Sequence, residues 1–367
     1  MKDIVIIGAG KIGAIVADML DGCGDYRVTV ADRSEARLHA LETRPGIATA
    51  QLDIEDSAAL DALLAGKFAV LSCAPYQVTI RVAEAAARTG VHYLDLTEDV
   101  ASTRRVKQLA AAAETAFIPQ CGLAPGFISI VAYDLIAHFD SVDTVRLRVG
   151  ALPQFPSNSL NYNLTWSTDG VINEYCEPCD AIVNGMLVES PALEEREEFS
   201  LDGVTYEAFN TSGGLGTMCD TLAGKVRTLN YRTIRYPGHA AIMKTLLNDL
   251  RLRDRRDVLK DILEHALPAT LQDVVIVFVT VSGRKNGRLV QETYANKIYS
   301  QLVNGVTRSA IQVTTASGIA AMLDMLAAGE VAQKGFVRQE DVKLSAFLAN
   351  RFGRVYAMGG QAHRSAA

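Results

Sequence analysis

The 367-residue chain is short of several things, and each shortage excludes a class of function. It lacks a basic excess: 36 Lys and Arg stand against 42 Asp and Glu, a net charge of −6, and no basic stripe is present. That argues against a nucleic-acid partner. It lacks an unbroken apolar run near the ~20 residues that a membrane span needs, so no membrane role is expected. Its first apolar run, Ile4-Val5-Ile6-Ile7, is too short for a secretory signal, and the expected location is cytoplasmic. Cysteine is sparse, with six residues, and only Cys176-Glu-Pro-Cys179 has a C-x-x-C spacing. No second pair completes a zinc site, so the motif is either a redox pair or two reduced structural thiols. No metal-ligand spacing and no Ser-His-Asp arrangement is evident. What remains is a globular composition, 49% hydrophobic and 21% charged, in a chain long enough for two domains.

The first 32 residues carry the strongest signal. The apolar run is the right length for a buried parallel strand and leads straight into Gly8-Ala9-Gly10-Lys11-Ile12-Gly13. A helix over 14–20 and a strand over 26–31 follow, and Asp32 ends that strand nineteen residues after Gly13. Strand, glycine loop, helix, strand and acid form a dinucleotide fingerprint. Gly8 permits the tight turn, Gly10 lets a pyrophosphate approach the backbone, and Gly13 lets the helix pack on the strand. The helix N-terminus, at Lys11 and Ile12, presents N–H groups to the phosphates. Asp32 accepts both ribose hydroxyls and repels a 2′-phosphate, so the expected cofactor is NAD. Arg33 beside it can turn towards a 2′-phosphate, which leaves NADP open.

The alternation continues with strands at 48–53, 68–73, 92–96 and 116–119 and helices at 56–64, 79–89 and 102–115. The expected fold is α/β, with an N-terminal Rossmann doubly wound parallel sheet over 1–122. Ligands in such sheets bind beyond the carboxyl ends of the strands, which draws attention to the loops beginning at Gly8, Asp32, Ser72, Thr97 and Gln120. Asp53 is a candidate contact for adenine, and Ser72-Cys73-Ala74-Pro75 for the rest of the cofactor. After Gly126 the texture changes to a helix over 127–139 and strands at 144–149, 206–209, 274–281, 288–300 and 307–313, with turns at 283–287 and Asn304-Gly305. A second mixed α/β, largely antiparallel substrate domain is expected over 123–314. A helix returning to the first domain (315–345) and a tail (346–367) complete the division. The charge runs 194–198 and 251–257 read as solvated surface.

The residues also resemble the saccharopine dehydrogenase and lysine 6-dehydrogenase family over nearly the whole chain. The resemblance rests on Ser72-Cys73-Ala74-Pro75-Tyr76, His92-Tyr93-Leu94-Asp95-Leu96 and Cys121-Gly122-Leu123-Ala124-Pro125-Gly126. It continues through Asn173-Glu174-Tyr175, Thr211-Ser212-Gly213-Gly214 and Thr233-Ile234-Arg235-Tyr236-Pro237-Gly238-His239. It implies NAD(P)-dependent oxidation or reduction of a carbon–nitrogen bond on an amino acid, often at the ε-nitrogen of lysine. Saccharopine dehydrogenases of that family tend to carry Leu-Asp-Pro-Gly where this chain has Leu123-Ala124-Pro125-Gly126, which is more similar to the lysine 6-dehydrogenases. L-Lysine 6-dehydrogenase is therefore the first expectation, and glutamate-forming saccharopine dehydrogenase the second. Carboxynorspermidine dehydrogenase and a non-catalytic NAD-binding sensor are more distant alternatives.

Amine oxidation needs a group to take the ammonium proton and anchors for the substrate's charged ends. Glu98 and Asp99, just past the fifth strand, are candidates for the base or for pairing with the ε-ammonium; acids also favour a helix start. His239 has an unperturbed pKa suited to proton transfer. Arg235 can grip an α-carboxylate through two parallel hydrogen bonds, with Arg232 and Arg146 as rivals. Thr211 and Ser212 offer hydroxyls for the amino-acid end. A homodimer is the expected assembly.

Overall fold

The computed structural model describes residues 1–41 and 44–358, and the chain divides into two compact units. The first comprises Met1–Phe127, Val303–Val306 and the chain from Gln312 onward; the second comprises Ile128–Leu302 and Thr307–Ile311.

The chain opens with β1 (Lys2–Ile7), α1 (Lys11–Gly22), β2 (Tyr26–Asp32), α2 (Glu35–His39) and β3 (Ile47–Gln51). It continues with α3 (Ser57–Leu64), β4 (Ala69–Ser72), α4 (Tyr76–Thr89), β5 (His92–Asp95), α5 (Val100–Ala110) and β6 (Ala116–Ile118). Caps explain several boundaries. The Asp56 carboxylate accepts the Ala59 N–H to start α3, and Gly90, at φ 68°, ends α4 in the left-handed conformation.

The second unit runs α6 (Ile128–Ile136), β7 (Ser141–Pro153), α7 (Thr168–Cys176), β8 (Cys179–Val183), β9 (Met186–Ser190), β10 (Glu197–Leu201) and β11 (Val204–Asn210). Then come α8 (Met218–Leu222), β12 (Thr228–Arg235), α9 (His239–Lys244), α10 (Arg256–Ala266), β13 (Asp273–Lys285) and β14 (Arg288–Tyr299). Its main path is β10-β11-β12-β7-β13-β14, with β8 and β9 attached to β12. The β12–β7 pair is parallel, whereas β10–β11, β11–β12, β7–β13 and β13–β14 are antiparallel. Four positive-φ pairs turn its hairpins and the next one: Asn184-Gly185, Asp202-Gly203, Asn286-Gly287 and Asn304-Gly305.

A small hairpin, β15 (Gln301–Val303) and β16 (Val306–Arg308), precedes α11 (Ala310–Ala328), β17 (Gly335–Phe336) and α12 (Leu344–Ala349). The edge strand β17 pairs in parallel with β6, giving the first unit a seven-stranded parallel sheet in the order β17-β6-β5-β4-β1-β2-β3.

Two expectations require correction. Residues 310–313, read as strand, lie in α11, because the Asp273 carboxylate accepts the Ala310 and Ile311 N–H groups and caps the helix from a distant element. With those residues added, α11 is 19 residues long and apolar enough by length and composition to cross a membrane. Of its most apolar window, 78% is buried inside the protein, as in the core helix of a folded domain. The stretch read as a tail from 346 carries α12 and a buried Tyr356, whose ring stacks on Phe127 at 4.0 Å. The last residues, 359–367, lie outside the described part.

Candidate active site

At the tip of β1 the chain makes the turn that the glycine spacing requires. Gly8 has φ +106°, and a Cβ there would lie 2.8 Å from the Cys73 carbonyl oxygen. A Cβ on Gly13 would lie 1.9 Å from the Gly8 carbonyl oxygen, so only glycine allows α1 to start this close to the strand. Gly10 differs, because a Cβ there would meet nothing within 4 Å. The N-terminus of α1, at Lys11 and Ile12, has no side-chain cap and no acid in its first turn. Open space in front of N–H groups that no carboxylate competes for suits a pyrophosphate.

Asp32 closes this loop. Its carboxylate accepts hydrogen bonds from the Ala9 N–H at 2.7 Å and the Ser34 N–H at 2.8 Å, which fixes a negative charge at the end of β2. Arg37 approaches it at 3.9 Å, and Arg33 is exposed beside it. Asp53 lies past β3, is exposed, and accepts the Glu55 N–H through one oxygen, which shapes the turn into α3.

The ends of β4, β5 and β6 carry a buried polar network. The Ser72 hydroxyl accepts from Thr79 at 2.7 Å, so it is engaged inside the fold and not offered to a ligand. Thr79 meets Tyr93 at 3.1 Å, and Tyr93 donates to Asp95 at 2.8 Å. The other Asp95 oxygen accepts the Thr97 and Gln120 N–H groups, tying the β5–α5 loop to the β6 end. Burial pushes the Asp95 carboxyl up to about 6, and both burial and the Asp95 charge push the Cys73 thiol up to about 12, making it an inert thiol. Ala74 and Pro75 bring the chain to the start of α4, where Pro75 occupies the cap position. All six cysteines are free, including Cys176 and Cys179.

Glu98 and Asp99 separate in role. Asp99 is the N-cap of α5 and accepts the Ser102 N–H at 2.8 Å, so its place among the catalytic candidates is corrected to helix capping. Glu98 is half-buried, and burial, reinforced by the charges of Asp99 and Asp95, pushes its carboxyl up to about 7. A carboxyl tuned into that range can both take and return a proton near neutrality. Asp95 was not among the candidates. Its signal was a Tyr-x-Asp at a strand end, where a buried carboxylate commonly finds backbone donors.

In the second unit a polar cluster is buried around Arg235, the last residue of β12. The Arg235 Nε donates to the Tyr175 hydroxyl at 3.0 Å, and the guanidinium lies 5.0 Å from the Tyr162 ring centroid. Arg232, its rival, pairs with Glu195 and Glu197, and Arg146 is exposed. His239 is 1% exposed; its Nδ1 is 2.9 Å from the Leu160 carbonyl and its Nε2 is 3.1 Å from the Tyr175 hydroxyl. Burial, with Arg235 nearby, pushes its pKa down to about 3. A histidine held neutral at every working pH is not a shuttle, and that expectation is corrected. Thr211 and Ser212 are corrected likewise. The first shares a hydrogen bond with Thr233 at 2.8 Å, and the second donates to the Pro178 carbonyl at 2.7 Å. Gly214 packs so close to Tyr231 that a Cβ would lie 2.2 Å from the ring. Among the described residues, no group of three or more His, Cys, Asp or Glu is placed to hold a metal ion.

Comparison with known proteins gives these residues a context. Residues 4–118 match the saccharopine dehydrogenase NADP binding domain, and residues 122–352 match the saccharopine dehydrogenase C-terminal domain. The chain belongs to the saccharopine dehydrogenase family. A curated relative of this family member is saccharopine dehydrogenase (NADP(+), L-glutamate-forming) of Saccharomyces cerevisiae, 28% identical over 47% of this chain and 40% of the relative. Another is the mitochondrial alpha-aminoadipic semialdehyde synthase of Bos taurus, 23% identical over 81% of this chain and 33% of the relative. The chain thus spans less than half the length of these curated relatives. Apo saccharopine dehydrogenase (L-Glu forming) from Saccharomyces cerevisiae has the same fold, with a TM-score of 0.78 at 18% identity over 95% of this chain and 97% of that one.

Proposed function

We propose that this member of the saccharopine dehydrogenase family is a nicotinamide-dependent dehydrogenase acting on a carbon–nitrogen bond of an amino acid in lysine metabolism. The observation that carries the reading is Glu98, a half-buried carboxyl tuned to about 7 in the loop just past the end of β5, in the unit that also carries the glycine loop and Asp32. A bound nicotinamide supplies the hydride acceptor. The N-terminus of α1 takes the pyrophosphate, and Asp32 takes the ribose hydroxyls. Glu98, when ionised, takes a proton from the substrate nitrogen. In the second unit, Arg235 takes the α-carboxylate.

The cofactor assigned is NAD, on the strength of the fixed Asp32 charge. The names of the matching domain and of the yeast relative point instead to NADP, and Arg33 and Arg37 give that alternative a physical basis. L-Lysine is the first substrate, in an oxidative deamination of the ε-amine. The Leu123-Ala124-Pro125-Gly126 segment, more similar to the lysine 6-dehydrogenases, supports that choice. Saccharopine is the second, favoured by the names of the relatives. A homodimer in the cytoplasm completes the proposal.

The anchor is tested directly. Arg235→Met is expected to raise KM for the amino-acid substrate roughly ten- to a hundredfold, since a hydrogen bond to a charged group contributes about 1.5–3 kcal/mol. The dissociation constant for NADH should stay the same. An unchanged KM moves the anchor to another cation.

A further inference from the structure

The second unit contains more recognition chemistry than a lone arginine, and most of it lies on α7. Glu174 is 8% exposed in the middle of that helix, next to Tyr175, and its backbone carbonyl accepts the Ser212 N–H at 2.9 Å. It shares α7 with Tyr175, whose hydroxyl accepts from Arg235, and this brings it to the same buried group. An acid and a guanidinium buried together among tyrosines present one charge of each sign.

The hydrogen bonds around the arginine run in one determined direction. A carbonyl only accepts, so His239 Nδ1 must carry the proton it gives to Leu160. A neutral imidazole has one N–H, so Nε2 must accept, and the Tyr175 O–H must donate to it. That leaves the Tyr175 oxygen as the acceptor for Arg235 Nε. The chain Leu160–His239–Tyr175–Arg235 therefore fixes the guanidinium plane, and its neutral histidine adds no competing positive charge. The Tyr162 ring, itself buried, lies 5.0 Å from the guanidinium.

We infer that Glu174 and Arg235 together read the zwitterionic head of a free α-amino acid, with Tyr175 and His239 as positioning residues for the arginine. Glu174 is the specificity-determining member: it demands a protonated α-amine beside the carboxylate. The inference rests on the proposed amino-acid substrate and adds that the α-amine, not only the carboxylate, is recognised.

Trp166 is the chain's only tryptophan and packs against the hydrophobic group containing Tyr162 and Tyr175, so its fluorescence reports binding without turnover. The full-length protein is titrated with L-lysine, with 6-aminohexanoate, which lacks the α-amine, and with cadaverine, which lacks the carboxylate. Loss of the α-amine is expected to weaken binding about tenfold or more in the wild type, and no more than about threefold in Glu174→Gln. Tyr175→Phe and His239→Leu should raise KM for the amino acid about tenfold with kcat and NADH affinity held, whereas His239→Gln, able to keep both bonds, should restore it.

Equal binding of L-lysine and 6-aminohexanoate by the wild type overturns the role of Glu174. An unchanged KM in Tyr175→Phe overturns the positioning chain. If L-lysine gives no response but L-glutamate or L-saccharopine does, with the same dependence on Glu174, the inference stands and lysine is rejected as substrate. No response to any α-amino acid overturns it. NADH titration confirms in each case that the variant is folded.

Discussion

Replacing Glu98 with glutamine is expected to lower kcat/KM by about a hundred- to ten-thousandfold, the usual contribution of a positioned general acid or base. Glutamine keeps the shape and the hydrogen-bonding capacity but cannot take a proton, so NADH should bind as before. The wild-type rate of amine oxidation should rise with pH through about 7, the value to which burial and two neighbouring acids push this carboxyl. The variant should lose that limb. A normal rate in Glu98→Gln would leave the first unit without an assigned base.

Stability should move the opposite way with pH. The Glu98 carboxyl is raised from an ordinary 4.5 to about 7, and Asp95 from 3.8 to about 6. The folded protein therefore holds protons that the unfolded chain releases, and the contribution of these groups falls as pH climbs from about 4 towards 7. Activity and stability then trade against each other across that window. Melting temperatures recorded from pH 5 to 8 should decline less steeply in Glu98→Gln than in the wild type.

The second large effect is expected at Asp32. Asp32→Ala removes the carboxylate proposed to accept the ribose hydroxyls and also the tether on the Ala9 and Ser34 N–H groups. NAD affinity should fall roughly ten- to a hundredfold, as for loss of a charge-assisted hydrogen bond. NADP should lose less, because the repulsion of its 2′-phosphate disappears while Arg33 and Arg37 remain close by. Asp32→Asn removes the charge and keeps one of the two acceptor oxygens that hold the Ala9 and Ser34 N–H groups, so its effect on the loop should be smaller than that of alanine. The ratio of kcat/KM for NAD to that for NADP should drop in both variants. A wild-type preference for NADP would reverse the reading of this residue.

Much of the first unit was legible because its determinants are local. The glycine spacing, the four-residue apolar run and the acid at the strand end all fall within 32 residues, and the turn they form is the one observed. The second unit was less so. Asn286-Gly287 and Asn304-Gly305 announce their turns, whereas Asn184-Gly185 and Asp202-Gly203 carry the same signal without strong strand patterns on either side. The strands beside those two, β8 to β10, are short, and the last two are partly exposed and interrupted by charges, so their alternation is weak. The start of α11 depends on Asp273, an acid from a distant strand that no local pattern could connect to it.

The site shows the same division. Asp99, three residues before Ser102, is a helix cap that spacing alone can suggest. The elevation of Glu98 depends on burial and on Asp95, whose buried position is set by Tyr93 and the β6 end. His239 was misread because its chemistry is decided by Leu160, Tyr175 and Arg235, which reach it from separate parts of the chain. A histidine free in water titrates near neutrality; here, complete burial holds it neutral.

The account turns on amine oxidation, and the most direct test is absorbance at the NADH band with purified protein. L-Lysine and L-saccharopine are supplied side by side, each with NAD and with NADP. Rapid NADH formation from L-lysine with NAD, and little from L-saccharopine, is the predicted result. Turnover of L-saccharopine with none of L-lysine would contradict the substrate assignment, and no turnover of either would contradict the proposed reaction.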